Sequence, residues 1–160
     1  MPAPITMTQR RQLTKLLERR LEDTERAAGK ARAEAKQALP APSAKSIVAQ
    51  PKYKTLRAAI ERIEAAGLQL KTEYRCNKVR YDLDVDGNSK GAVAADLWKA
   101  IADKETAEAQ IDARHKAALN RLSKAQRTAE NTVWLAETRE EAEAALETFA
   151  SACDEILKAA

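Results

Sequence analysis

Apolar residues recur at alternating steps of three and four through most of the chain, which is the spacing of helices that pack along coiled-coil seams. The first run predicts a helix from about Thr8 to Leu39, with Leu13 and Leu17 on its seam. Smaller residues continue the seam, at Thr24, Ala28, Ala31, Ala35 and Ala38. Prolines at positions 40 and 42 end this helix, because a residue before proline is disfavoured in the helical region.

A second helix shows the most regular seam in the sequence, and the pattern predicts a two-helix contact over three heptads. The stripe consists of Tyr53, Leu56, Ile60, Ile63, Gly67, Leu70 and Tyr74. Glycine inside a helix costs about 1 kcal/mol relative to alanine. Gly67 therefore either lets a partner backbone approach closely or ends the helix early, and its place on the stripe favours the close approach.

The apolar period changes from helical to alternating after residue 78. Charged residues separate the apolar members, which are Val79, Tyr81, Leu83 and Val85. Gly87 and Asn88 follow as a turn signal. Because a single strand is not stable alone, the segment predicts a short strand or hairpin near 79–88, or a well-packed extended loop.

Two further helices are predicted in the C-terminal half. One opens near residues 89–92 and continues beyond Ala129. A β-branched and aromatic cluster at 131–138 predicts a break, and Trp134 within it is a candidate anchor for a protein partner. Thr138 and Glu141 form a capping-box pattern that starts the last helix. The seam of this helix comprises Ala142, Leu146, Phe149, Cys153, Ile156 and Ala160.

Composition also predicts an all-α protein, a helical bundle or a set of helical hairpins with coiled-coil seams. Of the 160 residues, 34 are alanine and only six are aromatic. Alanine favours helices but buries little area, so such helices pack in thin layers. We expect a basic helical arm at 1–39, a proline-containing linker at 40–51 and a helical core at 52–160, with a turn-containing insertion at 79–91.

The two halves of the sequence carry opposite net charges. Residues 1–81 carry 18 Lys and Arg against 8 Asp and Glu, whereas residues 82–160 carry 10 against 16. The basic positions on the first and third predicted helices are candidates for contacts with a nucleic-acid backbone. They are Arg11, Lys15, Arg19, Arg26, Lys30, Arg114, Lys116, Arg121, Lys124 and Arg127. The alternative interpretation is the charged outer face of a helical bundle.

The sequence has no recognisable catalytic motif. It contains one histidine, no glycine-rich phosphate loop and no serine-nucleophile motif, so we expect neither enzyme activity nor a cofactor. Asp82, Asp84 and Asp86 resemble the opening of a calcium-binding loop, but Val93 stands where that loop needs a bidentate glutamate. The three aspartates are the metal ligands to test, and the alternative is an acidic strand face.

No segment has the apolar length of a signal peptide or of a membrane span. The two cysteines lie on separate elements and show no metal-site or disulfide spacing. These features predict a cytoplasmic protein, or a component of a particle that is assembled inside a cell, with no membrane partner.

Regular seams without catalytic motifs predict a non-catalytic assembly or adaptor subunit that acts through protein contacts and self-association. Small, alanine-rich, charged helical chains of this kind are often encoded by bacteriophages and mobile elements. Two alternatives stay open: an architectural nucleic-acid-binding protein that uses the basic N-terminal half, and an inhibitor whose acidic C-terminal helix mimics nucleic-acid charge. For the inhibitor, we expect that deletion of residues 138–160 abolishes binding to a basic partner and leaves the rest of the chain folded.

Overall fold

A computed structural model describes residues 4–67, 72–75, 78–81 and 87–159, and it confirms the predicted all-α fold. The helices are α1 (Met7–Gln37), α2 (Ala44–Val48), α3 (Lys54–Ala65), α4 (Gly87–Leu135) and α5 (Arg139–Ala159), with a short 3-10 turn (Pro51–Tyr53) before α3. Two short strands, β1 (Thr72–Arg75) and β2 (Lys78–Tyr81), lie between α3 and α4. None of the helices in these ranges combines the length and the apolar character that a bilayer crossing requires.

The chain forms two compact units. The first contains residues Met1–Ala38 and Ala109–Ala160, and the second contains residues Leu39–Glu108. Helix α4 contributes its residues from 109 onward to the first unit and its earlier residues to the second. This division differs from the arm, linker and core that the sequence predicts, because α1 is one helix of a bundle rather than a separate arm.

The first unit is a bundle of α1, the C-terminal part of α4, and α5, built around one apolar core. Each helix supplies side chains to it; the main ones are Leu13, Leu17, Leu122, Val133, Phe149, Cys153 and Ile156. Complete burial of a large apolar side chain stabilises a fold by about 1.5–3 kcal/mol. The predicted seam residues of α1 and α5 are thus buried within one chain, and Leu146 packs against the same core while partly exposed.

The seam of α1 is buried only as far as Ala28. The predicted continuation is wrong, since Ala31, Ala35 and Ala38 are exposed. Here α1 is joined to α4 by long charged side chains instead, because Arg32 and Lys36 both reach Asp112. Alanine side chains are too short to fill the space that such a contact leaves between two helices.

Local hydrogen bonds set where the helices of the first unit begin. At the start of α1, the Thr6 hydroxyl accepts the Gln9 N–H at 3.3 Å and the Gln9 side chain accepts the Thr6 N–H at 2.8 Å. The capping box predicted for the last helix is confirmed: Thr138 Oγ1 accepts the Glu141 N–H at 3.3 Å and Glu141 Oε2 accepts the Thr138 N–H at 3.4 Å. Such caps satisfy N–H groups that have no partner inside the helix.

The second unit has its own apolar core, formed by α2, the 3-10 turn, α3 and the first part of α4. Its buried members are Ile47, Val48, Tyr53, Leu56, Val93 and Leu97, and Ile60 packs against them. The segment 40–51, predicted as a linker, therefore contains a short helix with two buried residues. Ser43 caps this helix, since its hydroxyl accepts the Ser46 N–H at 3.1 Å.

Helix α3 ends at Ala65, so the predicted helical seam from Tyr53 to Tyr74 is wrong in its last part. Gly67 has a φ of 80°, a left-handed conformation that glycine adopts without steric cost. Nothing lies within 4 Å of the position that a Cβ would occupy there. Gly67 therefore ends the helix and does not serve a close backbone approach, whereas Leu70 lies outside the described residues.

An antiparallel hairpin of β1 and β2 follows, and it pairs Tyr74 with Val79 and Thr72 with Tyr81. The sequence predicted a strand or hairpin near 79–88, and only the start of that range belongs to β2. Residues 82–86 lie outside the described residues, and the predicted turn at Gly87 and Asn88 is instead the first residues of α4. Tyr74 is thus a strand residue, because the chain had already left the helix at Gly67.

The N-terminus of the chain is fixed to the turn between α4 and α5. The Ile5 N–H donates to the Glu137 carbonyl at 3.2 Å, and Pro4 forms a β-bridge with Thr138. The Arg10 guanidinium donates to the carbonyl of Val133 at 2.9 Å, to that of Ala136 at 2.8 Å and to that of Trp134. A cation at this end satisfies helix carbonyls that have no partner within α4 and complements the helix dipole.

We predict that Arg10→Ala lowers the free energy of unfolding by about 2 kcal/mol, because charged hydrogen bonds to partly buried carbonyls are lost. The measurement is urea denaturation followed by circular dichroism. The matched control is Arg11→Ala, whose side chain is exposed, and which we expect to change stability by no more than about 0.5 kcal/mol. Equal losses in the two variants would contradict the role given to Arg10.

Candidate functional site

An open groove runs between α4 and α5 in the first unit. Its main part has a volume of about 540 Å³. The lining residues are Arg121, Lys124, Ala125, Thr128, Ala129 and Thr132 from α4, and Glu141, Ala144, Ala145, Thr148, Phe149 and Ala152 from α5. A smaller recess of about 150 Å³ shares Arg121 and extends the groove toward the C-terminus of α5. No residue of α1 lines either part.

Small side chains make this groove. Ala129, Ala145 and Phe149 are buried and form its floor, whereas Thr128 and Thr148 on its walls are exposed. The wall threonines turn their hydroxyls onto their own helices: Thr128 Oγ1 donates to the Lys124 carbonyl at 3.1 Å and Thr148 Oγ1 to the Ala144 carbonyl at 2.9 Å. Their hydrogen-bonding capacity is therefore used internally, and the walls are mainly apolar.

The α4 wall of the groove is basic. Arg114, Arg121 and Lys124 all line it and are all exposed. Arg114 and Arg121 are seven residues apart, which places them on one stripe of the helix. Within the described ranges, none of the three forms an ion pair. Their charges are available to a ligand or partner that lies in the groove.

The α5 wall carries acids. Glu141 lines the groove, and Thr148 and Glu155 follow at intervals of seven residues on the same stripe of α5. Glu141 also caps α5, since it accepts the N–H groups of Glu137 and Thr138 at 2.9 and 3.4 Å. Glu155 is exposed, and in the part of the chain that the structure describes it has no ion-pair partner. The two walls thus have opposite charge.

The ten predicted nucleic-acid contacts do not form one surface. On α1, the five exposed positions Arg11, Lys15, Arg19, Arg26 and Lys30 lie on the side opposite the buried seam. On α4, Arg114, Arg121 and Lys124 flank the groove, whereas Lys116 and Arg127 lie on the outer side of the helix by their helical spacing. The groove and the α1 stripe lie on different faces of the bundle.

The predicted interface residues are distributed over two intrachain cores. Leu13, Leu17, Phe149 and Ile156 belong to the core of the first unit, and Tyr53 and Leu56 to that of the second. The side chain of Ile63 is outside the described set. Trp134 is 44% exposed, near the end of α4, as the partner-anchor hypothesis requires. Buried seams close the bundle. Among the described residues, the apolar features open to a partner are the groove and the exposed side chains of Trp134, Leu135, Met7 and Leu16.

The acidic C-terminal helix is an integral part of the first unit. Ala142, Ala145, Phe149, Cys153 and Ile156 are all buried members of its core. Contrary to the expectation for the inhibitor, deletion of residues 138–160 should destabilise the rest of the first unit, because it removes one whole side of this core. An inhibitor that used this helix would need to act through the exposed acids of the intact bundle.

The predicted metal ligands Asp82, Asp84 and Asp86 lie outside the described residues. Among the residues that the structure does describe, no group of three or more histidine, cysteine, aspartate or glutamate side chains is placed to hold a metal ion.

Two carboxylates tie helices together by ion pairs. Asp112 on α4 accepts from Arg32 Nε at 2.7 Å and from Lys36 Nζ at 2.8 Å. These hydrogen bonds, chiefly that from Lys36, hold the pKa of Asp112 below its ordinary value. A second link joins α1 to α5, where Arg20 Nη2 lies 2.7 Å from Asp154 Oδ1. Part of the attraction between the basic and acidic halves of the chain is therefore intramolecular.

A comparable cluster stabilises the second unit. The buried Tyr53 donates its hydroxyl to Asp96 at 2.6 Å, and Lys52 pairs with the same carboxylate. The hydrogen bond from Lys52, followed by that from Tyr53, lowers the pKa of Asp96. Burial, followed by the bond to Asp96, raises the pKa of the Tyr53 hydroxyl. The cluster anchors the 3-10 turn to α4, which is a structural role.

The sequence did not identify Arg10, which binds the carbonyls at the end of α4, or the small residues that line the groove. Arg10 precedes Leu13 by three residues and Leu17 by seven, so helical spacing places it on the seam side of α1 and Arg11 on the opposite side. This spacing was the available signal for Arg10. The groove positions Ala125, Thr128, Ala144 and Thr148 were hidden because they flank the seam and are small. A second stripe of Ala and Thr beside each seam was the available signal, and it required knowing that α4 and α5 are neighbours.

Comparisons with protein-family models, with curated proteins and with solved structures found no match to this chain.

We predict that the pKa of Asp112 rises toward its ordinary value in Lys36→Met, because the main hydrogen bond to its carboxylate is lost. The matched control is Lys30→Met, since Lys30 pairs only with Glu34 at 3.8 Å. NMR titration of the side-chain carboxyl carbon measures both. An unchanged Asp112 titration in Lys36→Met would contradict the assignment.

The same ion pairs predict the direction of a pH effect on stability. A carboxylate with a lowered folded-state pKa stabilises the fold above its unfolded-state pKa, and this contribution is lost as the pH falls through the folded value. Asp112→Asn should therefore be less stable than the original chain at neutral pH, and the difference should vanish in acid. A difference that persisted at low pH would assign the effect to packing rather than to charge.

Proposed function

We propose that the protein is a non-catalytic assembly or adaptor subunit, and that it acts by binding a helical protein surface in the groove between α4 and α5. The observation that supports this proposal is the open, mainly apolar groove beside a closed core. α1 covers one side of the α4–α5 pair, and the other side is left with small side chains and a buried phenylalanine floor.

The dimensions and chemistry of the groove fit a helix better than a small substrate. A helix that packs on a groove approaches more closely where the side chains are small, and alanine and threonine dominate both walls. Helix-in-groove recognition uses an apolar floor flanked by charged edges, which is the arrangement of Phe149 between Arg121 and Glu141. We further propose that this binding occurs inside a cell, or in a particle assembled there.

The proposal is tested by photo-crosslinking from single positions. A benzophenone side chain at Thr128 or Thr148, on the groove walls, should yield discrete protein adducts when the purified protein is mixed with an extract of the cells that produce it. The same group at Glu147 or Lys116, on exposed surfaces away from the groove lining, is the matched control and should not. Absence of groove-specific adducts, or equal adducts from all four sites, would refute the proposal.

A second candidate function is nucleic-acid binding by α1. It is favoured by the exposed stripe of Arg11, Lys15 and Arg19, which have no ion pair within the described residues. Such a stripe can track phosphates and release counterions, so binding weakens steeply with salt. The α4 residues are not part of this candidate surface, because Arg114, Arg121 and Lys124 flank the groove and Lys116 and Arg127 lie on the outer side of α4.

We predict that duplex binding, if it is a function, depends on α1 alone. Fluorescence anisotropy of labelled duplex DNA and RNA across a salt series measures it. The triple variant Arg11→Glu, Lys15→Glu and Arg19→Glu should then abolish binding, whereas the control Lys116→Glu and Arg127→Glu should leave most of it. No binding at low salt would remove this candidate and leave the protein-binding role.

A further inference from the structure

The two walls of the α4–α5 groove carry opposite charges in ordered positions, and this order restricts what can bind. Arg114, Arg121 and Lys124 form the α4 wall. On α5, Glu141 lines the groove, and the exposed Glu155 lies fourteen residues further along the same stripe, next to Ile156 of the recess. A partner helix with only acidic residues would match the first wall and be repelled by the second. A partner that fits both walls must therefore present a row of acidic residues next to a row of basic residues.

We propose that the groove binds the same groove of a second copy of this chain, and that the copies are related by a two-fold axis parallel to α4 and α5. This inference rests on the proposed protein-binding role of the groove. Such an axis places α4 of each copy on α5 of the other. Each basic wall then faces an acidic wall, which is the self-complementarity that a two-fold interface requires.

The positions of the charged residues along the helix axes, here called their level, agree with this symmetry. The recess at one end brings Arg114 and Arg121 together with Ile156 and Ala159, because α4 and α5 run in opposite directions. Glu155 immediately precedes Ile156 in the sequence, so it lies at the same end. A two-fold axis along the helices preserves this level, and Glu155 of one copy therefore lies opposite Arg114 and Arg121 of the other.

The alternative two-fold arrangement lacks this complementarity. An axis perpendicular to the helices would place α4 on α4 and α5 on α5, so that each basic wall would lie on a basic wall. It would also reverse the level along the groove, so Glu155 of one copy would no longer lie opposite Arg114 and Arg121 of the other. Charge complementarity therefore favours the parallel axis. The small groove residues allow the favoured arrangement, since Thr128, Ala144, Thr148 and Ala152 let the facing helices approach closely.

Sedimentation equilibrium of the full chain at low and moderate salt tests the proposal. The original chain should form a dimer that weakens as salt increases. Arg121→Glu and Glu155→Arg should each weaken the dimer by about tenfold or more, because each creates two like-charge contacts per dimer. The controls Arg127→Glu and Glu147→Arg make the same charge changes at exposed positions that helical spacing places away from the groove side of each helix, and they should not weaken the dimer.

Exchanging the charges of Arg121 and Glu155 between the two copies is the decisive experiment. A mixture of the Arg121→Glu and Glu155→Arg proteins should form a heterodimer, because the two introduced side chains have opposite charges and face each other across the interface. The two original side chains, Arg121 of one protein and Glu155 of the other, form the second favourable contact. The double variant in one chain should likewise dimerise with itself. Recovery in the mixture also demonstrates that the two single variants are folded, which circular dichroism checks independently.

Three results would overturn the inference: a monomer at high protein concentration and low salt, a dimer that neither single variant weakens, or a mixture that does not recover. Its failure is distinguishable from failure of the proposed function. A monomeric protein whose groove still yields specific photo-adducts to another protein overturns the self-association and keeps the adaptor role. A monomer without such adducts overturns both.

Discussion

The hydrogen bonds between the first ten residues and the turn after α4 decide how the first unit is arranged. Ile5 pairs with Glu137 along the backbone, and Arg10 donates to the last carbonyls of α4. These bonds hold α1 along one side of the α4–α5 pair. The core forms on that side, and the opposite side keeps an open groove because the bundle has no fourth helix among its described residues.

An alanine-rich composition explains why polar contacts have so much influence in this bundle. Side chains such as Ala28, Ala129 and Ala142 bring helices close but contribute little buried area. The large apolar residues that remain, including Leu17, Leu122 and Phe149, form a narrow core. Ion pairs then join the helices where the core ends, as between Lys36 and Asp112 and between Arg20 and Asp154. These pairs are partly exposed, so each contributes modestly to stability.

The charge division of the sequence has two different consequences in three dimensions. Some opposite charges meet within the chain and fix α1 to α4 and α5. Others, including Arg121 on the α4 wall and Glu155 on the neighbouring stripe of α5, have no ion-pair partner among the described residues. Unmatched charges beside an apolar floor are typical of a surface that a partner completes, and this is the physical basis of both the proposed function and the proposed dimer.

Periodicity and local chemistry were sufficient for the helices themselves. The seams of α1 and α5, the break near Trp134 and the capping box of Thr138 and Glu141 all depend on residues a few positions apart, and each could be predicted. The stripe through Gly67 predicted a helix that is too long, because a regular spacing of apolar residues can continue by chance beyond the end of a helix. The left-handed backbone of Gly67 determines where this helix ends.

Which residues face one another depended on the tertiary structure alone. Helical spacing separates Arg10 from Arg11, but only the tertiary structure shows that the Arg10 side chain reaches the carbonyls at the end of α4. Likewise, Thr128 and Thr148 can be assigned to one groove only because the structure shows that α4 and α5 are neighbours. A local pattern states which side of a helix is apolar, but it does not state which helix covers that side or which side is left open. Those contacts join residues on different helices, which are 123 positions apart for Arg10 and Val133.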